Sequence, residues 1–319
     1  MLYPLKLNAA FKDYLWGGTR LRDEFNKQTD IDPVAESWEL SCHHDGQSII
    51  SNGEFSGKTL AQYIETVGKQ VIGTKAPKDK DFPILIKFID AKQSLSVQVH
   101  PDDKYALLHE GESGKTEMWY VMDATPDATL IYGFTHEISH QEFERRIKDN
   151  TLLEVCNQVP IKKGDVFFIE AGTLHAIGAG ALIAEIQQSS NSTYRVYDYG
   201  RKDGKLRELH IEKALAVTKL EPPTRKPEPI AKLTAFADYD LTILAQCELF
   251  NVSHFDLHGN CSLNAKKDSF HSILVLDGQI ALTYGNDSFT ITKGESVFIP
   301  ADMGEYILNG TGEFILTTL

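Results

Sequence analysis

Short apolar runs of alternating character dominate the chain. FPILIKFI, SLSVQV, EMWYVM, DVFFIE, LIAEIQ, HSILVL, QIALTY and SVFIP are rich in β-branched and aromatic side chains. Each is bounded by Gly, Pro, Asp or Asn, the pattern of strands. Helical spacing is rarer. Leu60, Tyr63, Ile64, Val67 and Val71 recur at that spacing after Thr59. A second helix is predicted from Ser139, where Ser139 and Glu142 make a capping box and Ile138 can staple to Phe143. Many short strands with few helices predict a mainly β protein of antiparallel sandwich or jelly-roll domains, not an alternating parallel-sheet fold.

Two further patterns bear on organisation. EPPTRKPEP places Pro222, Pro223, Pro227 and Pro229 in one segment that resists both helix and strand. It predicts a domain of residues 1–220, a linker at 221–230 and a smaller domain at 231–319. A Lys-Gly-acid phrase followed by an apolar strand also occurs twice, as KKGDVFFIEAG (162–172) and TKGESVFIPAD (292–302). Two copies of one β-sandwich unit account for the repetition.

Composition narrows the classes. With 319 residues, 42% hydrophobic and 24% charged, the chain has the make-up of a globular protein of about two domains. Lys and Arg number 32 against 45 Asp and Glu, a net charge of −13, which argues against a nonspecific grip on nucleic acid or an anionic membrane. An anionic substrate therefore needs a local basic pocket. MLYPLKLNAA lacks the apolar core of a secretory signal, and no run approaches ~18 apolar residues, so a cytoplasmic protein is expected. Cys42, Cys156, Cys247 and Cys261 form no C-x-x-C pair. Were Cys42-His43-His44 on a strand, the two imidazoles would face opposite ways, which favours a structural or surface role.

Candidate chemistry begins at SLSVQVHPDD. A strand over 95–100 puts Leu95, Val97 and Val99 on one face and Ser96, Gln98 and His100 on the other. A row of polar groups suits either a solvated outer face or a metal site, and the segment alone does not decide between them. In GKTEMWYVM, Lys115, Glu117 and Trp119 share a face, setting an ammonium beside a carboxylate. In GDVFFIEAGTLHAIGAG, a turn at Gly172 presents His175. Gln98, His100, Glu117 and His175 make an N2O2 donor set suited to Zn²⁺, Fe²⁺ or Mn²⁺ with a position left open. Downstream, Glu185 and Gln187 share a strand face, followed by Arg195 and Arg201. Glu185 and Arg195 suit proton transfer and anion stabilisation, whereas Arg201, at a glycine turn, suits a structural ion pair. The chain has no P-loop, no G-x-G-x-x-G and no G-x-S-x-G.

The sequence resembles the type I mannose-6-phosphate isomerases in their shorter bacterial form, zinc enzymes of the cupin fold. The resemblance is carried by YLWGGTRL (14–21), AESWELS (35–41), ILIKFIDAKQSLSVQVHPDD (84–103), GKTEMWYVM (114–122), GTLHAIGAG (172–180) and the run to Arg195. It implies two cupin jelly-roll domains with a few short helices, and one zinc ion per chain held by Gln98, His100, Glu117 and His175. It places Lys87, Ser96, Lys115, Glu185 and Arg195 in the substrate pocket. Lys87 and Ser96 would meet the phosphate, Arg195 the oxyanion or phosphate, and Lys115 and Glu185 compete as proton carrier. The second copy of the repeated phrase keeps Pro300 but has Glu305 where the metal-binding histidine falls, so the C-terminal cupin is expected to be metal-free. The implied reaction is reversible aldose–ketose isomerisation of mannose 6-phosphate and fructose 6-phosphate through an enediol(ate). The implied partner is a small-molecule sugar phosphate, with no nucleic acid or membrane, and the sequence is silent on oligomeric state. The alternative is a non-catalytic cupin that binds sugar phosphate as a regulatory protein. Such a module has no need of four ligands together with a lysine, a carboxylate and an arginine.

Overall fold

A computed structural model describes residues 2–77, 81–201 and 207–319. The protein is mainly β, as the alternation predicts, with five short α-helices among the described residues. By compactness the chain divides into two units in a way that is not linear in sequence. One comprises residues 1–13, 19–88 and 228–319, and the other residues 14–18 and 89–227. The later crossing, between residues 227 and 228, falls inside the proline segment, which carries neither helix nor strand.

The unit of residues 89–227 is a β-sandwich. One sheet has five antiparallel strands in the order Tyr194–Tyr197, Val97–Val99, His175–Ile177, Thr129–Phe134 and Cys156–Pro160. One face of this sheet buries Val97, Val99, Ile131, Ala176 and Val196 in a core with Phe143, Ile147 and Ala214. Those three residues come from the helices His140–Lys148 and Ile211–Val217. A facing layer consists of Val166–Ile169, Glu117–Ala124 and Ala181–Gln188, again antiparallel.

The other unit is built on a ten-stranded antiparallel sheet. Its long strands His271–Tyr284 and Gly304–Thr318 pair along most of their length, and Phe255, Ile273, Val297, Tyr306 and Phe314 fill its core. The N-terminal strand Leu5–Asn8 pairs with Ser296–Ile299, which explains why the first residues group with the last. Within the same unit, Glu36–Leu40 pairs with Ala10–Lys12.

The repeated phrase folds twice into one device. At Lys162–Asp165 and again at Thr292–Glu295 the first residue's N–H donates to the acid three residues on, at 2.9 Å and 2.7 Å. The glycines between, Gly164 and Gly294, have φ of +92° and +86°, a region open chiefly to glycine. In both copies the apolar strand follows directly.

Some local expectations need correction. The helix after Thr59 ends at Val67, not Val71, because Gly68 takes φ +108°; Val71 lies in the 3₁₀ turn Lys69–Ile72. A full capping box closes its start, between Thr59 and Gln62. Before His140–Lys148 only half of the box forms. Ser139 accepts from the Glu142 N–H, but the Glu142 carboxylate turns to Arg146 at 2.8 Å. HSILVL and QIALTY are one strand rather than two, because both pair with Gly304–Thr318; the bulge falls between Val275 and Asp277, and Asp277 and Gly278 stay paired with Glu313 and Gly312 instead of turning. His43 and His44 lie in a loop, where their rings stack 4.3 Å apart, so strand alternation does not separate them. Among the described residues no helix is long and apolar enough to cross a membrane.

Candidate metal centre and active site

Register builds the site from the sheet that carries Gln98. His175 stands directly opposite both Gln98 and Tyr132, and Arg195 opposite Gln98. Directly opposed residues share a face, so Tyr132, His175, Gln98 and Arg195 form one row across four strands. This face is turned away from the helix-covered core. The row is therefore interior to the sandwich, and the solvated-face reading of Ser96, Gln98 and His100 is excluded: Ser96 and His100 are buried and Gln98 is partly so.

Across the interior, Glu117 and Gln187 are opposed, as are Trp119 and Glu185. Trp119 donates its indole N–H to Glu185 Oε2 at 2.8 Å, and its ring meets His175 edge-on with centroids 5.3 Å apart. Alternation along LIAEIQQ predicts that Glu185 and Gln187 share a face, and both are buried.

His100, Glu117 and His175 converge at the centre, all at most 1% exposed. The two Nε2 atoms are 3.1 Å apart. Glu117 Oε1 is 3.3 Å from His100 Nε2, and Oε2 is 3.9 Å from His175 Nε2. Lys115 places its ammonium 2.5 Å from Glu117 Oε1 and 3.0 Å from His100 Nε2. Each imidazole is turned by a backbone carbonyl: Ser192 O lies 2.8 Å from His100 Nδ1, and Thr173 O lies 2.8 Å from His175 Nδ1. A carbonyl only accepts, so Nδ1 carries the proton in both rings and the Nε2 lone pairs face inward. Burial, reinforced by the Lys115 ammonium, pushes the His100 pKa down to about 3, while Glu117 opposes it. Burial likewise lowers His175. Burial, the largest single influence, would raise Glu117, but Lys115 together with the His100 and His175 imidazoles outweighs it and holds the carboxyl well below its usual range.

Two neutral imidazole nitrogens aimed at one point, beside a carboxylate whose Oε2 accepts no hydrogen bond, meet the requirements of a divalent-ion site. Gln98, on the same face and opposite His175, is placed to add an amide oxygen.

The remaining residues singled out by sequence fall as follows. Arg195 donates from Nε to Ser96 Oγ at 3.1 Å and from a terminal nitrogen to Glu208 O at 3.0 Å. Burial, with the nearby Arg207 guanidinium, lowers its pKa. Arg201 has the structural setting expected of it, donating to Ser94 O and lying 3.7 Å from Asp198. Lys87 belongs to the unit that contains residues 19–88, where its buried ammonium is 3.6 Å from Glu36 and 5.0 Å from the Trp38 ring. Trp38 donates to the same carboxylate at 2.7 Å, which gives the AESWELS motif a buried Lys–Glu–Trp cluster. Sequence reasoning missed the Ser192 and Thr173 carbonyls, since backbone groups leave no residue signature. It also left Trp119 without a role, although its alternation with Glu117 was the available signal.

A β-sandwich whose interior gathers two histidines and a glutamate has the make-up of a cupin with a candidate metal site. Comparison with known proteins narrows the class. Residues 4–128 match the model of the phosphomannose isomerase type I catalytic domain, and residues 240–319 match that of the mannose-6-phosphate isomerase cupin domain. The mannose-6-phosphate isomerase ManA of Bacillus subtilis is 39% identical over 319 residues, 99% of each chain. The crystal structure of mannose 6-phosphate isomerase from Bacillus subtilis superposes with a TM-score of 0.91 at 35% identity, covering 99% of both chains. A zinc-bound mannose 6-phosphate isomerase shares the fold at a TM-score of 0.79 and 17% identity, covering 98% of each. The chain belongs to the type I mannose-6-phosphate isomerase family.

Proposed function

We propose that this protein is a zinc-dependent isomerase that interconverts mannose 6-phosphate and fructose 6-phosphate. The observation that carries the reading is the convergence of His100, His175 and Glu117 beside Lys115, within a sandwich interior that also holds Glu185 and Arg195. Membership of the family and the zinc-bound fold relative support the same substrate and metal.

His100, His175 and Glu117, with the Gln98 amide oxygen, would hold the zinc ion. Bound there, the ion would supply Lewis acidity toward the sugar's carbonyl oxygen. The protein's own groups account for the rest. Isomerisation moves one proton between the first and second carbons of the open-chain sugar, and an enediol(ate) forms on the way. A carboxylate can take that proton directly, whereas an ammonium must first lose one. Glu185, held by the Trp119 indole, is therefore the proton acceptor. Lys115, already donating to Glu117, is the cationic donor toward the developing oxyanion. Arg195 and the Ser96 hydroxyl, 3.1 Å apart, present a guanidinium and a hydroxyl to the phosphate. Burial of Glu185, Lys115 and Ser96 keeps water from competing for the same hydrogen bonds.

The test is conversion of mannose 6-phosphate to fructose 6-phosphate by metal-analysed protein, with and without chelator and added Zn²⁺. Chelator-sensitive turnover that zinc restores, and that His100→Ala lacks, is expected. Tight zinc binding with no conversion of any hexose phosphate overturns the reading in favour of a sugar-phosphate-binding regulatory protein.

A further inference from the structure

The His100 tautomer depends on one carbonyl, and that carbonyl belongs to a loop without secondary structure. Residues 189–193 connect the strands Ala181–Gln188 and Tyr194–Tyr197 through Ser-Ser-Asn-Ser-Thr. A loop of small polar residues has little intrinsic order, so something must hold Ser192 O at 2.8 Å from His100 Nδ1. The structure shows what does. Glu112 Oε2 accepts from the Ser190 hydroxyl at 3.2 Å, the Asn191 N–H at 3.3 Å and the Ser192 hydroxyl at 3.2 Å. The Ser190 hydroxyl also accepts from the Ser192 N–H at 3.2 Å, which closes the loop on itself. From the strand end, the buried Gln187 amide donates to Ser190 O at 2.7 Å.

Three donors on one carboxylate oxygen make a strong clamp, because hydrogen bonds to a charged acceptor are about twice as strong as neutral ones. The clamp also sits within the catalytic segment. Glu112 opens E-S-G-K-T-E, three residues before Lys115 and five before Glu117. One stretch of chain thus carries the metal-binding carboxylate and, through the loop, governs the orientation of the opposing imidazole.

We propose that Glu112 is a positioning residue of the metal centre: by gripping the 190–192 loop it keeps the Ser192 carbonyl on His100 Nδ1, and so keeps the Nε2 lone pair directed at the ion. The inference rests on the reading of His100 as a metal ligand. Glu112 touches neither ion nor sugar in this account. Its loss acts through the imidazole, which becomes free to rotate or to carry its proton on Nε2.

The experiment uses the full-length protein labelled with ¹⁵N-histidine, as parent, Glu112→Ala and Glu112→Gln, each without and with zinc. In the metal-free parent His100 is expected to show the Nδ1–H tautomer. Glu112→Ala is expected to lose that tautomer preference and to bind zinc roughly 10- to 100-fold more weakly in competition with a chromophoric chelator. Glu112→Gln keeps an acceptor oxygen and is expected to retain the tautomer and most of the affinity. His175 is the internal control, because its tautomer is set by Thr173 O and not by the loop. A Glu112→Ala protein with the parent's His100 tautomer and zinc affinity overturns the proposal. So does one in which His175 loses its tautomer along with His100, since that marks general loosening. A parent that shows the Nδ1–H tautomer yet binds no zinc refutes the metal reading alone, and the tautomer comparison still decides on Glu112.

Discussion

Lys115 and Glu185 sit on either side of the reaction's central question, the route of one proton, and their surroundings differ in kind. The Lys115 ammonium is held by an anion and an imidazole lone pair, at 2.5 Å and 3.0 Å. Glu185 is held by a neutral indole N–H at 2.8 Å, an arrangement that orients a carboxylate without neutralising it. Glu185→Gln preserves the shape and the indole contact but cannot take a proton. It is expected to lower kcat by roughly 10²–10⁴ with zinc content unchanged. Lys115→Met removes the cation beside Glu117 and is expected to lower turnover to a similar extent. Steady-state kinetics with metal analysis check both. If each variant keeps turnover within a few-fold of the parent, neither side chain transfers the proton. Most of this site was legible residue by residue, because His, Gln, Glu and Lys at alternating positions are chemically distinctive. The pieces that were not legible act through backbone atoms: the Ser192 and Thr173 carbonyls carry no side-chain signal, yet they set which nitrogen each imidazole offers.

At the level of elements, the site is an intersection of strands, and the turn at Gly172 ties two of its contributors together. The Gly172 N–H donates to His100 O at 2.8 Å, and its own carbonyl accepts from the Lys219 N–H at 2.8 Å. Three residues later the strand His175–Ile177 begins. Gly172 has φ +88°, and a Cβ there would lie 2.8 Å from Val217 O and 3.0 Å from Lys219 Cγ. Gly172→Ala therefore meets both backbone strain and a clash, a cost of about 1–3 kcal/mol. The variant is expected to unfold at a lower temperature and to hold zinc more weakly, as calorimetry and chelator competition would show. An unchanged zinc affinity would mean that the turn supports the fold but not the metal geometry. Sequence pattern anticipated this turn and the strand before it, but not the short strand His175–Ile177 after it. It misjudged lengths where tertiary pairing overrides local signals. SLSVQV reads as a long strand, but only Val97–Val99 forms one, and only Gln98 is directly opposed by residues on both sides. The Asp277-Gly278 step reads as a turn, but the neighbouring strand runs straight past it.

For the whole molecule, the repeated phrase supplies one turn in each of the two units. The turn that opens Val166–Ile169 recurs before Ser296–Ile299 with the same acid-to-backbone bond, yet Glu305 stands exposed in the second copy, at the place where the repeated phrase would call for a metal-binding histidine. The unit that contains the second copy partly buries His271, whose Nδ1 is 2.7 Å from the Tyr306 hydroxyl. Burial pushes its pKa down to about 4, with Asp268 only partly opposing. The consequence for stability has a definite sign. Above the ordinary imidazole value of about 6.5, His271 is neutral folded and unfolded, and folding carries no proton cost. As pH falls from there toward about 4, the unfolded chain takes up a proton that the folded protein refuses. Stability then declines by at most about 1.4 kcal/mol per pH unit for this one group. His100 and His175 are buried neutral too and add to the decline, so the parent alone does not isolate the effect. Comparison with His271→Gln does, since the amide can still meet Tyr306 but does not titrate. Thermal midpoints measured at about pH 7 and about pH 4.5 are expected to fall further in the parent than in the variant. An equal fall in both would mean that His271 is not buried neutral. The acid sensitivity of the protein would then arise from His100 and His175 and from carboxylates such as Glu117, which are ionised in the folded state and must be protonated for the chain to unfold in acid.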